Sequence, residues 1–505
     1  MKKKITILIL LQLSLFCLAK ENRSLILSNP IEYKKLSFSN QKADRKSFIS
    51  YDEMIQDLDA LIYYLQTAYI GYNSIKAKGF SENDLKKYFN EVYNGKNQIL
   101  VHDFYKKNSD YLRTYTEDMH FTIEEESGVK FDTLFRGTKL YFSNIYVEYK
   151  NGCFSVVKTG EKDVKIDSIY TGDEENLFYY PSKGENIYRL GVFNKNFISN
   201  CDFFFDDKKV NVSVAPEKQF LNSTLIKYHE IVSDKSAYAS LSSFVLPETN
   251  SIYRKGAEIV FEKFSNFGIK YRNKKNIIID LRSNLGGRAY FANGFIYSFF
   301  VNGRKIDLKR DEKRIDRWFD KNFVDRIELE SPAYLQSVIS YLDSTGEQNK
   351  YYYRVYNKSL KEQKANPQLK IYKNLNDNVS DLKNRFDGKL LIIVDNQTGS
   401  ASEDFVFKAK KILGIDNVVV IGENTAGCYT YMDICNYLLP NSRISIRLGA
   451  MKNIAITEFS AWHGEGVGFY PDYWSTGEDL NETIFLVTQD EEMKQKLNGI
   501  ELGLK

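Results

Sequence analysis

Three short, continuously apolar runs limit what this chain can fold into: Asn276-Ile-Ile-Ile-Asp-Leu281, Lys389-Leu-Leu-Ile-Ile-Val394 and Val418-Val-Val-Ile421. They are too short to cross a bilayer and too unbroken for strands with one wet face, so they read as strands covered on both sides. Helical patterns lie between them, at Gly256–Phe267, Arg288–Val301 and Ser402–Leu413, and a further strand is expected at Tyr238–Phe244. Strands and helices in alternation build an α/β domain around a parallel sheet, whose reactive groups belong on the loops that follow the strands.

Upstream the pattern differs. Met54, Leu58, Leu61, Ile62 and Leu65 share one helical face, and further helices are expected at Glu82–Tyr93 and Val101–Tyr115. From about Phe131 to Ser213 short alternating stretches and turn dipeptides indicate a small β domain. The resulting plan is a signal segment 1–19, an extension 20–50, a helical domain 51–125, a β domain 126–215, an α/β core 216–480 and a C-terminal helical tail 481–505. An insertion at 305–388 in the core carries expected helices at Ile315–Val324 and Ala333–Asp343. A length of 505 residues accommodates two or three domains.

With 43% hydrophobic and 27% charged residues, the composition excludes a disordered or fibrous chain. The formal charge is +4, and Lys2, Lys3 and Lys4 supply three of those charges. Such a balance points to neither nucleic acid nor a membrane surface. The first nineteen residues have a basic start, an apolar run Ile5–Phe16 and Ala19 before Lys20, the pattern of an export signal cleaved after Ala19. The alternative is a lipoprotein signal with lipid on Cys17, although bulky Phe16 precedes that cysteine where a small residue is expected. Membrane attachment is expected only if Cys17 is lipidated; otherwise the mature chain is periplasmic or secreted.

Cys153, Cys201, Cys428 and Cys435 remain after cleavage, and three pairings are open to them. Cys428 with Cys435, seven positions apart across a candidate hairpin, is the most local; unpaired thiols are the other reading. Without CxxC or a tight His/Cys cluster, no structural zinc is expected.

Two strand-to-helix loops can carry chemistry. In Asp280-Leu-Arg-Ser-Asn-Leu-Gly-Gly287 the paired glycines let backbone N–H groups converge on an oxygen, as an oxyanion hole requires, though plain turn geometry also uses them. In Asp395-Asn-Gln-Thr-Gly-Ser-Ala-Ser-Glu403, Ser400 and Glu403 fit a capping box, which needs no catalysis. The same position would hold a serine hydroxyl beside free helix N–H groups, where developing negative charge is stabilised.

These two loops, with Val420-Ile-Gly-Glu-Asn-Thr-Ala-Gly427 third in order, resemble the C-terminal processing, or tail-specific, family of serine peptidases over about Tyr238 to Trp474. The resemblance implies a crotonase-like α/β peptidase core, Ser400 as nucleophile, and an oxyanion hole formed by Ala401 and by Gly286 or Gly287. Asp280, Arg282 and Glu423 are then structural supports. Ser-Lys members place a lysine just after the third motif and a glutamine four residues later; here Cys428 and Met432 stand there, so that dyad is absent. Lys408, Lys410 and Lys411 lie two or more helical turns from Ser400.

The tricorn-core-like branch instead draws a histidine from an aspartate-x-histidine segment at the end of the helical domain. Of the four histidines, His120 in Thr116-Glu-Asp-Met-His-Phe-Thr122 matches, while His463 is a rival base. Glu465, ahead of Gly466-Val…Pro471-Asp472, matches that branch's supporting glutamate. Met119 replaces the serine that precedes the histidine there, which removes one hydroxyl from the expected network.

The resemblance implies a polypeptide substrate and no metal or organic cofactor. It also places the β domain where relatives carry a PDZ module; lacking the usual carboxylate loop, it is either a degenerate PDZ-like domain or an unrelated one. The alternative to an enzyme is a non-catalytic protein on the same fold that holds a peptide or an apolar ligand.

Overall fold

The computed structural model describes residues 46–124, most of 139–216, 226–247, 253–322, 326–329, 372–374 and nearly all of 384–498. The expected leader with Cys17, the first 26 positions of the extension and the expected helix Ala333–Asp343 lie outside the described residues. Among the described residues, no helix is long and apolar enough to cross a membrane.

The apolar runs form the centre of a six-stranded sheet. Its order is Tyr228–Val232, Ser236–Leu241, Asn276–Asp280, Lys389–Val394, Val418–Gly422 and Tyr473–Trp474, with only the first strand antiparallel to its neighbour. Alternate residues face opposite sides, so Ile277 and Ile279 join one core while Ile278 joins another. The first core contains Phe261, Phe264, Phe295 and Phe405 from the helices Arg254–Tyr271, Ala289–Ser298 and Ala401–Leu413. The second is closed by Leu480, Ile484, Met493 and Leu497. The helices Leu480–Thr488 and Glu491–Asn498 therefore cover a face of the sheet and are no mere tail, because Ile278, Leu391 and Ile393 would otherwise meet water. Each such side chain contributes about 1.5–3 kcal/mol on burial.

A second sheet is antiparallel. Its central strand, Ser445–Asn453, pairs along one edge with Tyr431–Leu438 and along the other with Thr122–Glu124 and Arg326–Leu329. The turn of this hairpin lies between Leu438 and Ser445, so Cys428 and Cys435 do not face each other across one, contrary to the sequence expectation. Cys435 is inside the first strand opposite Leu448, and Cys428 is a free thiol in the loop before it.

The helical domain packs onto this sheet. Met54, Leu58, Leu61, Leu65, Phe89 and Phe104 share a core with Tyr437, Ile446, Leu448 and Ala450. Buried Asp57 fixes the docking by accepting the Asn441 and Ser442 N–H groups, each at 2.8 Å. The last helix stops at Arg113, and the chain then turns through Asp118 and His120 into the strand Thr122–Glu124. In this way a histidine remote in sequence reaches the antiparallel sheet.

The β domain forms two sheets, one centred on Lys139–Lys150 and Ile187–Asn194, the other on Asn200–Phe205 and Lys208–Ser213. Tyr141, Val147, Leu190, Phe203 and Val212 fill the space between them. Trp474, from the edge of the parallel sheet, packs with Phe142 and Phe178 and so joins this domain to the core. The whole is a mixed α/β architecture.

Candidate active site

Asp280 and Ile393 are partners in adjacent parallel strands, so the Gly-Gly loop and the Ser400 loop leave the sheet side by side. Buried Asp395 fastens them together: both its oxygens accept the Ser283 N–H at 2.9 Å, and it also takes the Thr398 hydroxyl and the Gln397 N–H. Gly399 N–H donates to the Asn284 carbonyl at 3.0 Å, and Thr398 Oγ1 to that of Leu281 at 2.9 Å. Beneath them Arg282 grips Asp280 through two hydrogen bonds of 3.0 and 2.8 Å, and the Tyr238 hydroxyl binds the same carboxylate at 2.9 Å. Asp280 and Arg282 thus form a buried ion pair beneath the two loops. Glu423 is buried beyond the neighbouring strand, where its N–H binds the Val394 carbonyl.

Ser400 adopts φ +52° and ψ −114°, a conformation that costs a non-glycine residue about 1–3 kcal/mol. Its neighbours Gly399 and Ala401 are buried, while Ser400 itself is half-buried. Gly286 is seated directly against this turn. A Cβ at Gly286, where φ is +95°, would lie 2.6 Å from Gly399 O, 2.7 Å from Ala401 N and 2.8 Å from Ser400 Cβ. Gly286 N–H is already bonded to Asn284 Oδ1 at 3.0 Å.

Glu403 does more than cap a helix. Fully buried, it accepts Ser400 N–H (3.0 Å) and Cys428 N–H (2.8 Å) on one oxygen, and Gly427 N–H (2.7 Å) and Thr425 Oγ1–H (2.6 Å) on the other. Burial raises its pKa, while the hydrogen bonds from Thr425, Cys428 and Gly427 pull the other way. All four donors suit an ionised, acceptor-only carboxylate. Position 428, where a Ser-Lys peptidase has its lysine, lies against the serine, and here Cys428 Sγ accepts the Ser400 N–H at 3.0 Å. Burial and the nearby Glu403 push this thiol well above its usual range, so it is no nucleophile. The lysines are occupied elsewhere: Lys408 with Asp404 and Asn293, Lys410 with Asp472, and Lys411 over the Phe407 and Phe459 rings.

Glu465 connects the far side of the site. One oxygen accepts Met119 N–H at 3.1 Å and the other accepts Thr430 N–H at 2.9 Å, tying the His120 segment to the loop that carries Cys428. Asp118, which sequence reasoning left without a role, accepts the His120 backbone N–H at 2.8 Å. One ligating atom from each of Asp118, His120 and Glu465 lies within 4.8 Å of the others, so these three residues could hold a metal ion.

The spacing Asp-x-His was the available signal for Asp118. Burial drives the His120 imidazole down to about 3, the charge of Arg447 pushes the same way, and a hydrogen bond to the Tyr431 backbone opposes both. Burial raises the Asp118 carboxyl to about 7, against hydrogen bonds that pull it down, and burial together with repulsion from Asp118 raises that of Glu465. His120 Nδ1 is buried with no hydrogen-bond partner, so it makes no bond to Ser400. His463 is exposed, and its ring stacks on Tyr470 with centroids 3.6 Å apart.

Residues 235–473 match the model of peptidase family S41. The chain carries an S41 peptidase domain. It is a serine-type peptidase, with a polypeptide as its substrate class. No curated protein sequence matches it. Among solved structures it is similar to mature CPAF, at 10% identity over 89% of this chain and 98% of that one, with a TM-score of 0.46. It is also similar to the photosystem II D1 C-terminal processing protease, at 14% identity over 90% and 98% with a TM-score of 0.36. A third is a putative S41 protease from Bacteroides fragilis NCTC 9343, at 12% identity over 88% and 95% with a TM-score of 0.38. At such scores these likenesses carry no functional weight.

Proposed function

We propose that this S41 peptidase is exported and hydrolyses peptide bonds by a Ser-His acyl-enzyme route, with Ser400 as nucleophile and His120 as general base and then acid. The observation that carries this reading is the Ser400 turn itself. A strained, half-buried serine stands at a helix start, clamped through its amide by Glu403, with the Gly286 backbone against it. Strain of this kind persists only where surrounding bonds over-determine it.

The steps follow from the chemistry. Neutral His120 accepts the hydroxyl proton as Ser400 Oγ attacks the scissile carbonyl, and the Gly287 and Ala401 amides receive the oxyanion. Imidazolium would be costly in so buried a place, and an ionised Glu465 or Asp118 carboxylate nearby would offset part of that cost. His120 then returns the proton to the leaving amine. Because His120 and Ser400 are unbonded at rest, substrate must draw them together, as catalytic bonds often tighten only in the complex.

The core is proposed to be crotonase-like and the β domain a degenerate PDZ-like module that tethers substrate along a strand edge. Export rests on the leader pattern of the first nineteen residues.

The deciding experiment compares peptide hydrolysis and fluorophosphonate labelling by wild type, Ser400→Ala and His120→Ala. Activity and labelling should vanish in the first and fall at least about a hundredfold in the second. An unlabelled wild type beside a labelled control peptidase would replace this reading with the non-catalytic binding protein. Full activity in His120→Ala would move the base to His463.

A further inference from the structure

We infer that Asp118, His120 and Glu465 form a binding site for a single zinc ion, through which the metal reversibly silences the peptidase. The inference deepens the reading of the same site, since it takes His120 as the base that zinc would capture. Three observations carry it. One ligating atom from each residue lies within 4.8 Å of the others. His120 and Asp118 are only 7% and 4% exposed, yet His120 Nδ1 and Asp118 Oδ2 have no hydrogen-bond partner. Buried polar atoms are almost always satisfied, so two orphans in one small cluster mark a place built for something else to bind.

The third is charge. Two carboxylates facing each other at a largely buried site are unfavourable, and a divalent cation balances the charge of both. One imidazole with two carboxylates favours zinc over calcium or magnesium, which take oxygen ligands.

Geometry permits this with a small contraction. An ion central to three atoms at the 4.8 Å limit would be about 2.8 Å from each, against zinc bonds of about 2.0–2.2 Å. Inward shifts of well under an ångström close that gap. Glu465 is already oriented by the Met119 and Thr430 amides, and Asp118 by the His120 amide, so each carboxylate has the outer partner that steadies a metal ligand. The positive charge of Arg447 near His120 works against a cation and makes the site weaker than a structural zinc centre. The fourth position is left to water. Once its nitrogen is bound to zinc, His120 cannot accept the serine proton, and hydrolysis stops until the metal leaves.

The test uses the mature chain as Ser400→Ala, so that metal binding is read without hydrolysis, after dialysis against a chelator. Zinc chloride titrated in a calorimeter should show one site per chain, and zinc-edge X-ray absorption should show nitrogen and oxygen neighbours without sulfur. Adding Glu465→Gln or Asp118→Asn should weaken binding by about tenfold or more, with circular dichroism confirming that the variants fold. Removing exposed His229 with His229→Ala should leave binding unchanged. No heat, sulfur ligation, or affinity that ignores Glu465→Gln and Asp118→Asn would overturn the site.

In wild type, zinc should block peptide hydrolysis and excess chelator should restore it. Persistence of hydrolysis with zinc bound would overturn the silencing. A wild type that binds zinc yet never cleaves peptide would refute the Ser-His reading instead.

Discussion

Two carboxylate centres flank the candidate nucleophile, and they are built in opposite ways. Glu403 receives four donors from the Ser400 turn and the 425–428 loop, and every acceptor position is filled. In the Asp118–His120–Glu465 cluster the carboxylates take backbone amides, while Asp118 Oδ2 and His120 Nδ1 remain unpaired. A saturated centre can hold two loops rigid but cannot change state. An unsaturated one costs stability and can take up a proton or an ion. On the proposed mechanism the first centre does scaffold work and the second takes part in the chemistry.

The comparison can be broken by mutation. Glu403→Ala orphans four buried donors and opens a cavity, so it should destabilise the protein by at least about 4 kcal/mol and abolish peptidase activity, as urea unfolding and peptide hydrolysis would show. Asp57→Ala leaves the Asn441 and Ser442 amides unpaired at the helical-domain contact and should cost about 2–4 kcal/mol. If that docking delivers His120, hydrolysis should fall with it under conditions where the fold persists. Gly286→Ala puts a methyl group into the Ser400 turn and should cost about 2–3 kcal/mol. Fluorophosphonate labelling should fall further than stability does.

The unsaturated cluster should respond differently. Glu465→Gln keeps one carbonyl oxygen for two amide donors and should cost about 1–2 kcal/mol of stability. Its larger effect should be on kcat, by roughly ten- to a hundredfold, because the charge that supports imidazolium is gone. Asp118→Asn is the smallest: the acceptor of the His120 N–H remains and a buried charge disappears, so stability should move by less than about 1 kcal/mol in either direction. A loss comparable to that of Glu403→Ala would erase the distinction between the two centres.

Much of this was legible in the sequence because it is local. Ile277 to Ile279 and Leu390 to Val394 announce buried strands by composition alone, and the helix Glu82–Tyr93 is found where the sequence places it. Paired glycines before a helix, and a Ser-x-x-Glu start, identify the two loops. Glu403, however, had a cap as its local meaning, because the donors Thr425, Gly427 and Cys428 come from another loop and no spacing rule links them. The hairpin Tyr431–Leu438 with Ser445–Asn453 also passed unseen, and with it the reason Cys428 and Cys435 do not meet.

By itself, then, the sequence determined the buried strands, the helices between them and the residue types available for chemistry. These depend on side-chain period and on backbone preferences of neighbouring residues. Only the tertiary structure decided that the Gly286 amide is bonded to Asn284, that the last two helices close a core, and that Asp118, His120 and Glu465 stand together with atoms unpaired. The reason is physical: whether a buried polar group is satisfied depends on partners brought in from distant parts of the chain, and only packing chooses those partners.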